Sequence, residues 1–197
     1  MHGLINRSLE CFLRDTYGST VWLDVVSRAN LPFDRFEAML DYDDRLTYAV
    51  LMAASDRLSK PRETLLEDLG TYLVSNPNNE SLRRLLRFGG DTYIEFLHSL
   101  DDLNGRAKLA LSELELPRMT LHGGRDGNDF RLVCKGPPRG FGRVMRGVLR
   151  AMADDYGALV LLKDIDGETG CEEIAITLVQ SRFSDGRDFR LAGPVGV

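Results

Sequence analysis

The side chains of this chain best suited to metal, redox or nucleophilic chemistry are three histidines and three cysteines. His2, His98 and His122 are widely separated, as are Cys11, Cys134 and Cys171. The cysteines have no CxxC spacing, which argues against a zinc cluster. An odd, scattered set also builds no disulfide framework and fits a reducing compartment. Asp164, Asp166 and Glu168 alternate as a calcium loop begins, but the glycine and the distant glutamate of such a loop are misplaced. A solvated hairpin turn is the better reading. There is no GxSxG elbow, and Gly136-Pro137-Pro138-Arg139-Gly140 lacks the Lys-Ser/Thr ending of a phosphate loop. No set of acid, base and nucleophile can be named, so the chain is not expected to be an enzyme and no catalytic residue is assigned.

Arg139, Arg143, Arg146 and Arg150 fall on one face of a helix beginning near Phe141, with Phe141, Val144, Met145, Val148 and Met152 opposite. Either this is a solvated cationic face, or it docks an acidic partner.

The elements that must position these residues follow from periodicity. Helical spacing of Leu4, Ile5, Leu9, Phe12 and Leu13 predicts a first helix ending at Tyr17-Gly18. A second spans about Val21 to Arg28, capped by Ser19 or Thr20, and a third about Arg35 to Leu40. A fourth, capped within Asp41 to Asp44, carries Tyr48 to Leu58, and Pro61 opens a fifth. A short helix over Ser81 to Phe88 stops at Gly89-Gly90. The longest helical stretch runs from Thr92 to Leu111, with a bend expected at Asn104-Gly105. After Pro117 the period changes to strand, helix and turn signals. Hairpins are expected over Arg118 to Cys134 and Ala158 to Gln180, with the helix Phe141 to Tyr156 between them. The fold class is therefore α+β: a helical N-terminal lobe (1–112), then a four-stranded antiparallel sheet with a packed helix (113–183). Residues 184–197 carry no apolar periodicity and are expected to form a mobile tail.

Composition sets outer limits. The 197 residues can bury a sizeable core, and 43% apolar with 28% charged is ordinary globular usage. A net charge of -5 argues against a nucleic-acid coat. No apolar run is long enough for export or a bilayer span, so a cytoplasmic protein free of membrane and nucleic acid is expected.

The ordered motifs Met1-His2-Gly3-Leu4-Ile5-Asn6, Thr16-Tyr17-Gly18 with Val21-Trp22, and Leu69-Gly70-Thr71-Tyr72-Leu73 resemble the haem-nitric oxide/oxygen binding (H-NOX) family. Phe96-Leu97 through Leu100-Asp101-Asp102-Leu103, then Pro117 and Gly140-Phe141, extend the resemblance over residues 1–183 as one domain. It implies the same architecture, a gas-sensing role, and a protein partner such as a histidine kinase or a diguanylate cyclase.

The resemblance also implies where haem would be held, and there the residues differ. In the family a histidine that ligates iron directly follows the Leu-Asp-x-Leu segment; here that position is Asn104. The family's Tyr-x-Ser-x-Arg motif, which binds the haem propionates, falls on Cys134, Gly136 and Pro138. The apolar frame of the pocket is kept in Ile5, Leu9, Leu97, Leu100 and Pro117. That frame either packs as core or encloses a smaller apolar or anionic ligand. The expectation is a regulatory domain that signals to a protein partner without haem bound in the family manner. Its input would then be another one, such as an organic ligand or oxidation of Cys134, or the domain would act constitutively. The alternative is a haem-based NO/O2 sensor with a non-standard axial ligand, for which His98 is the candidate.

Overall fold

The structure is a computed structural model describing residues 1–110, 114–123, 127–165 and 170–188. Helix α1 (Gly3–Tyr17) begins where His2 Nδ1 accepts the Leu4 N–H at 3.2 Å and ends at Gly18. Helix α2 (Ser19–Arg28) follows directly, and no side chain caps it, so Ser19 and Thr20 do not act as expected. Helix α3 (Asp44–Leu58) is capped by Asp43, and α4 (Arg62–Ser75) follows Pro61. Leu9, Phe12 and Leu13 of α1 pack with Trp22, Val25, Val50, Ala54, Leu65 and Leu69 into a first core.

The helix expected over Arg35 to Leu40 does not form. Side chains distant in sequence take the hydrogen bonds of this segment instead. Trp22 Nε1 donates to the Asp34 carbonyl at 2.7 Å, and the Phe36 N–H donates to the buried carboxylate of Glu10 at 2.9 Å. Phe36 then inserts into the first core beside Phe33 and Tyr42.

The C-terminal half of the helical lobe comprises α5 (Glu80–Arg87), α6 (Tyr93–Ser99) and α7 (Leu103–Ala110). A 3-10 turn over Leu100–Asp102 separates α6 from α7, so the interruption lies just before the bend expected at Asn104-Gly105. Strands β1 (Arg118–Gly123), β2 (Asp129–Lys135), β3 (Leu159–Ile165) and β4 (Cys171–Gln180) form the expected antiparallel sheet, in the order β1-β2-β4-β3. Helix α8 (Phe141–Tyr156) packs on one face of it. Its Met145, Leu149 and Met152 share a second core with Leu132, Ile174 and Ile176, and with Tyr93, Phe96, Leu97 and Leu100 from α6 and the turn after it.

The two cores meet where α4 crosses α8. A Cβ on Gly70 would lie 2.0 Å from the Val144 carbonyl oxygen, and one on Gly147 would lie 2.0 Å from that of Glu67. The helices therefore touch main chain to main chain. At the far end of α8, Asp155 is fully buried and bonded to Arg83 of α5, 2.9 Å from Nε. Ser184 to Asp188, placed by the sequence in the tail, are hydrogen-bonded to this end: Ser184 and Arg187 donate to Gly157 and Asp155, and the Asp188 carbonyl accepts from Arg83. Residues 189–197 lie outside the described residues.

Candidate functional site

The site is built from the start of α6 onward. Thr92 and Glu95 cap α6 reciprocally, which fixes where the helix begins and turns Tyr93, Phe96, Leu97 and Leu100 into the second core. The Asp101 carboxylate accepts the Leu121 N–H at 2.6 Å and ties the 3-10 turn to β1. One turn on, half-buried Asn104 donates from Nδ2 to the Leu116 carbonyl at 3.0 Å. Its Oδ1 is buried and has no hydrogen-bond partner among the described residues. The Asn104 side chain thus braces the chain entering Pro117, which is itself buried.

Cys134 sits inside the sheet, 3% exposed, opposite Met119 on β1 and Glu172 on β4. Burial, reinforced by the nearby Glu172 carboxylate, pushes its thiol pKa up to about 12. At neutral pH it is a protonated core side chain, not a reactive thiolate. Gly136 and Pro138 lie in the turn that leads to α8 and bring no side-chain donor.

The anchoring residue at this end is one the sequence reading missed. Glu172 accepts the Gly140 N–H on Oε1 at 2.6 Å and the Gly142 N–H on Oε2 at 2.7 Å. A carboxylate from β4 therefore satisfies free donors at the N-terminus of α8, where the helix dipole also favours negative charge. A Cβ on Gly142 would come within 2.7 Å of Glu172 Cβ, so the approach depends on that glycine. Gly142 was the only local signal, and it does not name its partner.

The arginine row is not the free cationic face considered from the sequence. Arg143 and Arg146 both pair with Asp164 of β3, while Arg146 and Arg150 pair with Glu67 of α4. Three of the four arginines thus bind α8 to its neighbours. Arg139 is exposed, and among the described residues its guanidinium has no ion pair; its main-chain N–H donates to the Tyr48 hydroxyl at 3.3 Å. Asp164 belongs to this network rather than to a calcium loop, and Asp166 and Glu168 lie outside the described residues.

The expected apolar frame is divided. Leu9 lies in the first core, Leu97 and Leu100 lie in the second, and Ile5 is half-buried. The histidines are dispersed. His98 is exposed with its ring edge-on to Phe130 at 5.9 Å, His2 caps α1, and His122 is exposed on β1. Among the described residues no group of three or more His, Cys, Asp or Glu could hold a metal ion. No helix among them is long and apolar enough to cross a membrane. Two clefts flank Gly140. One of about 420 Å³ opens toward α3 and the start of α4, and one of about 370 Å³ opens toward β3 and β4.

Comparison with known proteins agrees with this architecture. A family model described as haem-NO-binding matches residues 2–163. Soluble guanylate cyclase gcy-31 of Caenorhabditis elegans is 23% identical over 182 residues, covering 90% of this chain and 26% of that protein. Soluble guanylate cyclase 89Da of Drosophila melanogaster is 20% identical over 159 residues, covering 81% and 24%. The chain thus spans about a quarter of the length of these relatives. Among solved structures, the H-NOX protein from S. oneidensis in the Fe(II)NO state superposes with a TM-score of 0.75 at 18% identity, covering 90% of this chain and 99% of that one. The Fe(II) unliganded H-NOX protein from K. algicida gives 0.75 at 15% identity, covering 96% and 100%.

Proposed function

We propose, from the premise that this chain belongs to the haem-NO-binding (H-NOX) family, that it is a regulatory domain whose signal does not pass through a haem held in the family manner. Donor chemistry at the positions implied by the resemblance supports this reading, and the residues there do not fit the group. Asn104 offers a neutral amide oxygen, its unpartnered Oδ1, instead of an imidazole nitrogen, a poor ligand for haem iron, while its Nδ2 is held by the Leu116 carbonyl. That single observation carries the proposal. At the other end, Cys134 is sealed in the core, Gly136 and Pro138 have no donors, and the Glu172 carboxylate stands at the N-terminus of α8. A haem propionate arriving there would meet like charge. His98, exposed against Phe130, gives the non-standard-ligand alternative no support.

The guanylate cyclase relatives are much longer than this chain. We take its role to be conformational control of a protein partner or of a larger signalling protein, not catalysis. A histidine kinase or a diguanylate cyclase would suit as partner.

The test is expression with supplemented haem precursor, followed by a visible spectrum of the purified protein. The expected result is no stoichiometric Soret band and no spectral change on adding nitric oxide. A stoichiometric band that shifts with nitric oxide would overturn the proposal. Loss of such a band in His98→Ala would establish the alternative.

A further inference from the structure

The cleft of about 420 Å³ beside Gly140 is lined by Tyr48 and Leu51 of α3, by Arg62, Glu63 and Leu66 of α4, and by Arg139 of the turn before α8. We propose that it is a binding site for a small amphipathic monocarboxylate, its headgroup between Arg62 and Arg139 and its apolar body on Leu51 and Leu66. This goes beyond the regulatory reading above and does not depend on it, because the cleft uses none of Asn104, Cys134 or Glu172.

Charge pairing carries the argument. The next arginines along α8, at 143, 146 and 150, are each paired with a carboxylate of the chain. Arg62 and Arg139 line one cleft, are both exposed, and have no ion pair among the described residues. Glu63 is the one carboxylate on the wall, which leaves the lining one positive charge in excess and matches a singly charged guest. Planar guanidinium groups bind carboxylates through paired N–H donors.

The remaining lining supplies the other half of the recognition. Leu51 is almost fully buried and Leu66 half-buried, so together they give the cleft an apolar floor. The Tyr48 hydroxyl accepts the Arg139 N–H and still has its own proton to donate. The cleft thus pairs an apolar floor with charged groups on its wall in a volume of about 420 Å³, a combination that small-molecule sites use. Gly140 belongs to the lining at a φ of 90°, a left-handed conformation that favours glycine.

The test is titration calorimetry of the whole chain with octanoate at low ionic strength, beside octanol and inorganic phosphate. The same titrations are run on the double variant Arg62→Gln/Arg139→Gln. Octanoate should saturate at one equivalent. Octanol and phosphate should each bind at least about tenfold more weakly, and the double variant should lose at least about tenfold in octanoate affinity. Both arginines are exposed and have no ion pair among the described residues, so an unchanged Tm is expected and confirms that the variant is folded. Amide shifts on octanoate binding should centre on Leu51, Arg139 and Gly140. Absence of saturable octanoate binding overturns the proposal, as does octanol or phosphate binding equally well. Undiminished affinity in the folded double variant, or shifts confined to another surface, overturns it too.

Discussion

Replacing Gly70 by alanine tests whether the α4–α8 crossing holds the two cores together. In an ordinary helix interior the change stabilises, by up to about 1 kcal/mol, because alanine restricts the unfolded chain and favours helix. Here the new Cβ would lie 2.0 Å from the Val144 carbonyl oxygen and 3.0 Å from the Val148 nitrogen. Both obstacles are main chain, so no rotamer change relieves them. The helices must part by at least about 1 Å to restore even the tightest ordinary contact. Overpacking of this kind costs roughly 1–3 kcal/mol, more when backbone must move, and separation also weakens the contacts flanking the crossing. The net expectation is a loss of about 2 kcal/mol. With a urea slope of about 2 kcal/mol/M, the unfolding midpoint falls by about 1 M, read by far-ultraviolet circular dichroism.

Gly105→Ala is the internal control. Its new Cβ would meet only the Asp102 side chain, which can rotate away, so the midpoint should hold or rise. Gly147→Ala should behave as Gly70→Ala does. The double variant should lose less than the sum, since one separation of the helices relieves both clashes. A midpoint that rises in Gly70→Ala, or shifts as Gly105→Ala does, would refute this account of the crossing.

Glu172→Ala strips two N–H groups of their acceptor at the start of α8 and should lower stability by about 2–3 kcal/mol. Glu172→Gln, which keeps one acceptor, should lose roughly half as much; equal melting temperatures for the two would contradict the capping role. Asp155→Ala removes the buried carboxylate that Arg83, Arg87 and Arg187 share, leaving Arg83 its weaker pair with Glu80, and should cost about 3 kcal/mol in chemical denaturation. Cys134 should resist thiol reagents at pH 8 until the protein unfolds, whereas half-buried Cys11 and Cys171 should be labelled first, as peptide mass mapping can show. Because its folded pKa is raised from the usual 9.0 to about 12, the unfolded chain releases this proton first as pH rises. Its contribution is therefore intact below about pH 9 and lost progressively between 9 and 12. Cys134→Ala should show a shallower alkaline fall in stability over that window.

Hydrophobic periodicity made most of the architecture legible, because α1, α3, α8, β2 and β4 bury one regular face each. It failed where distant side chains took over the main-chain hydrogen bonds. The segment around Arg35 to Leu40 looked helical, yet Glu10 of α1 takes the Phe36 N–H, Tyr42 takes the Glu37 N–H, and Trp22 of α2 holds the adjoining Asp34 carbonyl. Of the row expected on one helix face, Arg143, Arg146 and Arg150 lie on α8 and Arg139 in the turn before it; the partners Asp164 and Glu67 lie on other elements, and no local pattern announces them. Glu172 was missed for the same reason: it lies 30 residues beyond Gly142, whose N–H it accepts. The resemblance alone singled out Asn104, Cys134, Gly136 and Pro138. What those side chains do instead was not legible, since their contacts are long-range.

The bare crossing of α4 and α8 has a mechanical consequence. Interlocked side chains resist sliding because each knob must climb out of its hole, whereas two glycine-lined backbones present smooth surfaces to one another. Resistance to twist then falls to the charged groups beside the contact, where Glu67 holds Arg146 and Arg150, the latter half exposed. Electrostatic springs of this kind soften as added salt screens them. Added salt should therefore loosen the half-exposed Arg150 first and leave the more buried Arg146–Glu67 pair to hold the crossing.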